Sequence, residues 1–179
     1  MSGRKYATDY KIEKHLTASG KVETILHYQG KRFAFLGSEE QIRRLCLQLW
    51  VCVGAIFALL LPILLDNTSL SRTVYIVLPA ALSLAPLYLV AASTWLIGRV
   101  EQPFIREQRD KTDNQLRGAS VVLAVLLGIG CGGCIAHWIL KGIAAQEIFC
   151  VICLFLAFGV SLYLLTLRKK AKTKEVTAD

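Results

Sequence analysis

Four stretches of the chain contain no lysine, arginine, aspartate or glutamate, and they constrain the fold more than any other feature. They cover residues 45–65, 73–98, 118–140 and 148–167. An α-helix rises about 1.5 Å per residue, so about 20 apolar residues cross the hydrocarbon core of a bilayer. We therefore predict an all-α membrane protein built as a four-helix transmembrane bundle, with the lipid bilayer as its first partner.

The basic residues predict how these spans are oriented. The net charge of +8 is, by itself, also typical of proteins that bind nucleic acid. Of the 21 lysines and arginines, however, only Arg72 and Lys141 lie in the first and third connections. All others precede the first span or lie in the loop 99–117 or the tail 168–179. Because cytoplasmic loops carry an excess of Lys and Arg, we predict a multi-pass plasma-membrane protein with both termini in the cytoplasm and no nucleic-acid partner.

Residues 1–37 precede the first span and show the alternation of β-strands. In "KVETILHYQGKRFAFL", strand-like segments flank Gly30, which suits a turn. The pattern predicts a small cytoplasmic N-terminal antiparallel β element with a hairpin at Gly30. The upstream stretch "YATDYKIEKHL" would add a third strand after a turn at "ASG". The chain then divides into this element and a four-span transmembrane domain, residues 38–179, which ends in a basic cytoplasmic tail.

The second span contains Pro79, Ser83 and Pro86, at spacings of four and three residues. This spacing places all three on one face of a helix. Proline removes a backbone hydrogen bond, so a kink is expected here. The shared face is compatible either with a cavity or with ordinary packing against a neighbouring helix.

Four of the six cysteines form two C-x-x-C pairs around the loop between the last two spans. Cys134 and Cys150 are each eight residues from Gly142, and Cys131 and Cys153 are each eleven residues away. If the chain reverses near Gly142, the two pairs lie level across a helical hairpin. At 1.5 Å per residue they would lie about 3 to 14 Å below the outer surface. The members of each pair would share one face of their helix.

Three interpretations of these cysteines remain open. Thiol–disulfide exchange needs closely spaced dithiols, and C-x-x-C supplies them. Four thiolates would also suit zinc or an iron–sulfur centre, but their charge disfavours such a site in the membrane. Cysteine is also a small apolar residue that merely fills space, as Cys46 and Cys52 in the first span would do. His137 would either assist a thiol or face water and lipid headgroups.

The stretch from Gly118 onward resembles the C-terminal half of the vitamin K epoxide reductase family of membrane thiol oxidoreductases. The segments that carry the resemblance are "ASVVLAVL", "HWIL" and "IFCVICLFLAFGVSLYLLTLRKK". That family has a C-x-x-C at the outer start of its last helix. The resemblance implies that Cys150 and Cys153 are a redox pair beside a quinone. Cys131 and Cys134 have no counterpart in the family.

Two function hypotheses follow from the sequence. The first is a membrane thiol–disulfide redox protein with no metal, in which Cys150, Cys153, Cys131 and Cys134 are catalytic. Its partner would be a membrane or extracytoplasmic protein. The alternative is a non-catalytic accessory or scaffold subunit of a membrane complex, which binds its partner through the N-terminal strands. A transporter is disfavoured because no span carries an acid or a base other than His137.

Overall fold

The computed structural model describes residues 10–16, 22–35, 37–65, 72–99, 103–142, 144–170 and 173–176. The helices are α1 (Glu39–Leu65), α2 (Val74–Leu82), α3 (Leu84–Arg99), α4 (Arg106–Arg109), α5 (Gln115–Lys141) and α6 (Ile148–Leu167). A π-helical turn, Asp110–Asn114, joins α4 to α5. The strands are β1 (Tyr10–Leu16), β2 (Val22–Tyr28), β3 (Arg32–Phe35), β4 (Phe104–Ile105) and β5 (Thr173–Val176).

Four helices in the described part of the chain are long and apolar enough to cross a membrane. The first is α1, and the second is α2 with α3. The third consists of α4, the π-helical turn and α5, and the fourth is α6 with the turn that follows it. α6 packs against α1 and α5, while α5 also contacts α2 and α3. The predicted number of apolar helices and their association in a bundle are confirmed. The most deeply buried side chains include Leu49, Ile56, Leu60, Ile63, Ile76, Val90, Leu123, Leu127, Leu154 and Leu164.

The second apolar run is interrupted at Ser83, as its prolines predicted. Pro86 has no N–H, so it cannot donate to the carbonyl of Leu82, and regular helix ends there. The Ser83 hydroxyl donates to the carbonyl of Ala80 at 2.6 Å. Pro79, Ser83 and Pro86 are all buried, which confirms their shared face, and that face packs inside the bundle.

The strands pair differently from the sequence prediction. β1 pairs antiparallel with β2, whereas β3 is the central strand of a separate sheet in the order β4-β3-β5. The predicted hairpin at Gly30 is therefore wrong, because β2 and β3 lie in different sheets. β3 instead pairs with β4 and β5, two segments far beyond residue 37. The "YKIEKHL" segment does form the extra strand, and the turn predicted at "ASG" lies outside the described residues.

The three-stranded sheet is held to the bundle by aromatic side chains. Phe33, Phe35 and Phe104 are buried and belong to the same hydrophobic cluster as the helix residues. The rings of Phe35 and Phe104 lie 4.9 Å apart, and the Arg109 guanidinium lies 4.4 Å from the centre of the Phe33 ring. We call this end of the molecule the sheet end. The opposite end, where α5 turns into α6, is called the cysteine end.

Candidate functional site

The four cysteines of the two C-x-x-C pairs are all buried at the cysteine end. Cys131 and Cys134 lie in the second half of α5, and Cys150 and Cys153 lie in the first two turns of α6. Their exposed fractions are between 3% and 5%. All six cysteines of the chain are within the described residues, and none forms a disulfide. The thiols therefore face the interior of the bundle and not its outer surface.

Contacts between α5 and α6 establish the register of the two helices. A Cβ built on Gly130 would lie 3.4 Å from Leu154 Cδ2, and one built on Gly128 would lie 3.3 Å from Phe158 Cε2. The Cys131 thiol donates to the carbonyl of Leu154, with 3.8 Å between Sγ and O. In each contact the two residues lie at nearly equal distances along the chain from Gly142. This register places Cys134 level with Cys150, and Cys131 level with Cys153.

The reversal of the chain at Gly142 depends on glycine. Its φ is 78° and its N–H donates to the carbonyl of Trp138 at 3.0 Å, which closes the last turn of α5. A positive φ is strained for residues that carry a Cβ. The turn that the sequence predicted near Gly142 thus forms there, and it fixes the level at which α6 begins.

The four thiols nevertheless do not form one cluster. Leu154 packs against α5, and successive residues of a helix point about 100° apart, so Cys153 is turned well away from the direction of Leu154. Cys150 precedes Leu154 by four residues and points within about 40° of it. Among the described residues, no three or more His, Cys, Asp or Glu side chains are grouped so as to hold a metal ion. By this helix geometry, Cys150 lies toward the α5 side of α6 and Cys153 is turned away from it.

His137 connects α5 to the beginning of α2. Its side chain is only 1% exposed, so the expectation that it faces water or headgroups is wrong. The Nδ1 atom lies 3.5 Å from Thr73 Oγ1 and 3.4 Å from Tyr75 Oη. Its hydrogen-bonding partners in the described part of the chain are these two hydroxyl groups and not a thiol.

Glu147 is a component of the site that the sequence analysis missed. It is 2% exposed, and its Oε2 accepts a hydrogen bond from the Ala144 N–H at 3.3 Å. The carboxylate is close enough to the Cys134 thiol to interact with it electrostatically. One sequence signal was available, since Glu147 is an acid placed directly before an apolar run and three residues before Cys150.

The two glycines between Cys131 and Cys134 have different surroundings. A Cβ at Gly133 would lie 2.8 Å from the carbonyl oxygen of Tyr75, whereas one at Gly132 would meet nothing within 4 Å. Gly133 therefore allows α5 and α2 to approach closely beside the thiols.

The site as a whole combines two dithiols, a buried carboxylate and a buried imidazole. In comparisons with known proteins, no family model, no curated protein and no solved structure matches this chain.

Proposed function

We propose that this protein is a membrane thiol–disulfide redox protein that uses Cys131 with Cys134 and Cys150 with Cys153. The main support is the position of the two C-x-x-C pairs at corresponding levels of the packed helices α5 and α6, which Cys46 and Cys52 do not share. Each pair has the C-x-x-C spacing that thiol–disulfide exchange uses.

The distribution of charge supports an orientation for the site. The basic residues concentrate at the sheet end, which we assign to the cytoplasm. The cysteine end then lies toward the outer side of the plasma membrane, where disulfides persist. The partner in exchange would be a membrane or extracytoplasmic protein that presents a dithiol.

The proposed transfer between the pairs is a sequence of two exchanges. The Cys134 thiol loses its proton, and the resulting thiolate attacks the Cys150 sulfur of a Cys150–Cys153 disulfide. This bond breaks, a Cys134–Cys150 disulfide forms, and Cys153 leaves as a thiolate that takes up a proton. The Cys131 thiol then loses its proton and attacks Cys134. The Cys131–Cys134 disulfide forms, and the released Cys150 thiolate takes up the second proton. Two electrons and two protons have then moved from the first pair to the second.

The resemblance to vitamin K epoxide reductases supports the direction of this transfer. It implies that Cys150 and Cys153 are reoxidised by a membrane quinone. A cavity at the sheet end is lined in part by Arg44 and Lys170, whose charges do not suit an uncharged quinone, and it lies at the opposite end of the bundle from the thiols. We therefore assign no residue to the quinone.

Differential alkylation tests the proposal. Cells are quenched in acid, the protein is denatured with light N-ethylmaleimide, and the remaining disulfides are reduced and labelled with the heavy reagent. Denaturation makes burial irrelevant to labelling. We expect heavy label at all four site cysteines and light label at Cys46 and Cys52, which are the internal control. Complete light labelling of all six cysteines would contradict the proposal.

A second candidate function is that of an accessory subunit. β1 and β2 form a two-stranded sheet that pairs with no other strand among the described residues. Its end is tied to the rest of the chain by Tyr28, whose Oη accepts the Arg106 N–H at 3.1 Å and donates to the Lys31 carbonyl at 2.9 Å. An isolated two-stranded hairpin is marginally stable in water, so a bound partner would stabilise it.

Purification in mild detergent distinguishes this second function. We expect a stoichiometric companion protein that is lost from the Ile25→Pro variant, because proline interrupts the pairing of β2 with β1. Gln29→Pro is the matched control, since Gln29 is exposed and lies just outside the strand. A companion retained by Ile25→Pro, or no companion with the unaltered chain, would count against the accessory role.

A further inference from the structure

A cavity of about 260 Å³ lies at the sheet end of the bundle. It is formed where β3 leads into α1, beside the end of α3 and the turn that follows α6. Its apolar wall includes Phe35, Leu45 and Ile97, which are all buried. Its polar wall includes Arg44 and Lys170 together with two glutamine side chains, Gln41 and Gln48.

The cavity lies at the boundary between the apolar and the charged parts of three helices. Arg44 is the last charged residue before the apolar run of α1, and Lys170 follows the apolar run of α6 by three residues. Ile97 lies two residues before Arg99, the first charge after the second apolar run. These three positions place the cavity at the level of the lipid headgroups on the sheet side of a membrane.

The charged groups at the cavity favour an anion. Arg44 Nη2 donates to Glu40 Oε1 at 2.7 Å, in an ion pair whose side chains are both largely exposed. A guanidinium has five N–H donors, so Arg44 keeps others for a second anion. Lys170 contributes another cation, while Gln41 Oε1 accepts the Ser38 N–H at 3.2 Å, which orients its amide.

We propose that this cavity binds an anionic phospholipid of the adjacent leaflet. The phosphate would contact Arg44 and Lys170, and the upper part of an acyl chain would lie along Phe35, Leu45 and Ile97. A volume of 260 Å³ is below the roughly 300–1,000 Å³ of sites that enclose a whole small molecule, so it suits a headgroup with its tails outside. Basic residues next to transmembrane helices attract anionic lipids in general. A cavity that adds an apolar wall to the two cations would hold one lipid molecule at one position.

Native mass spectrometry of the detergent-purified chain tests this site. Phosphatidylglycerol and phosphatidylcholine are added separately, and the bound lipids are counted. We expect one phosphatidylglycerol to be retained by the unaltered chain. The double variant Arg44→Gln with Lys170→Gln should lose its affinity for this lipid roughly tenfold or more. The unfolding temperature in detergent alone shows that both proteins are folded.

The neighbouring residues provide a control with the same change in charge. Arg43 and Lys169 are exposed, adjacent in sequence to the two lining cations and absent from the cavity wall. The variant Arg43→Gln with Lys169→Gln should retain phosphatidylglycerol as the unaltered chain does. Three results would each overturn the proposal. The two double variants could lose affinity for phosphatidylglycerol equally, or the unaltered chain could retain phosphatidylcholine as well as phosphatidylglycerol. An equal concentration of glycerol phosphate could also displace the bound lipid. The redox proposal is unaffected by any of these outcomes.

Discussion

Replacement of Gly133 by alanine should lower the free energy of unfolding by about 1–3 kcal/mol, the usual cost of overpacking a well-packed interior. The added methyl group would lie 2.8 Å from the Tyr75 carbonyl oxygen and 3.2 Å from Ile76 Cγ1. A backbone carbonyl cannot move away as the end of a flexible side chain can. α2 and α5 must therefore separate at the cysteine end.

The same substitution at Gly132 is the matched control for this prediction. It lies in the same turn of α5, and its added Cβ would meet nothing within 4 Å. Alanine is favoured over glycine in a helix by about 1 kcal/mol, so Gly132→Ala should be neutral or stabilising. Thermal unfolding of both variants in one detergent measures the difference. An equal effect of the two substitutions would contradict the close contact between α2 and α5.

The apolar helices were predictable because a long charge-free run has few alternatives. A stretch of about 20 apolar residues that must satisfy all of its backbone groups in lipid forms a helix. The strands were less predictable, since their partners are distant in sequence. β4 has only two residues, and β5 lies in a segment, "TKEV", that reads as part of a charged tail. Neither carries the alternation from which a strand can be recognised.

The relative levels of the four cysteines along α5 and α6 were predictable, but the directions in which their side chains point were not. Counting from Gly142 gave the levels of the cysteines, because rise per residue is a fixed property of a helix. The rotation of each helix depends instead on which side chains pack between neighbours. Gly128 and Gly130 leave room for Phe158 and Leu154 to pack against α5. With Leu154 facing α5, helix geometry turns Cys153 away from α5. Counting residues does not reveal this.

Replacement of Cys131 by serine should convert a transient intermediate of the proposed exchange into a stable product. Without the Cys131 thiolate, nothing within the first pair can attack Cys134 and release Cys150. The Cys134–Cys150 disulfide should therefore accumulate from a trace to most of the protein. We favour these two residues because they lie at the same level, and because Cys150 points to the α5 side of α6.

Trypsin separates a disulfide between α5 and α6 from a disulfide within either C-x-x-C pair. Arg117, Lys141 and Arg168 are the cleavage sites that bound α5 and α6, so Cys134 falls in the peptide 118–141 and Cys150 in the peptide 142–168. A disulfide within either C-x-x-C pair stays inside one peptide, whereas Cys134–Cys150 joins the two. Mass spectrometry without reduction should detect the joined peptides in Cys131→Ser but not in Cys131→Ser with Cys150→Ser.

The buried cysteines of α1 supply the control for the loss of a thiol. Cys52→Ser removes a cysteine that is as buried as Cys131 but lies outside the two pairs. The joined peptides should stay at the trace level of the unaltered chain, because Cys131 is still present to attack Cys134 and release Cys150. If Cys131→Ser also stays at that level while the protein remains folded, exchange does not pass through Cys134 and Cys150. The four thiols would then be packing residues, and the accessory role would be the better account of this chain.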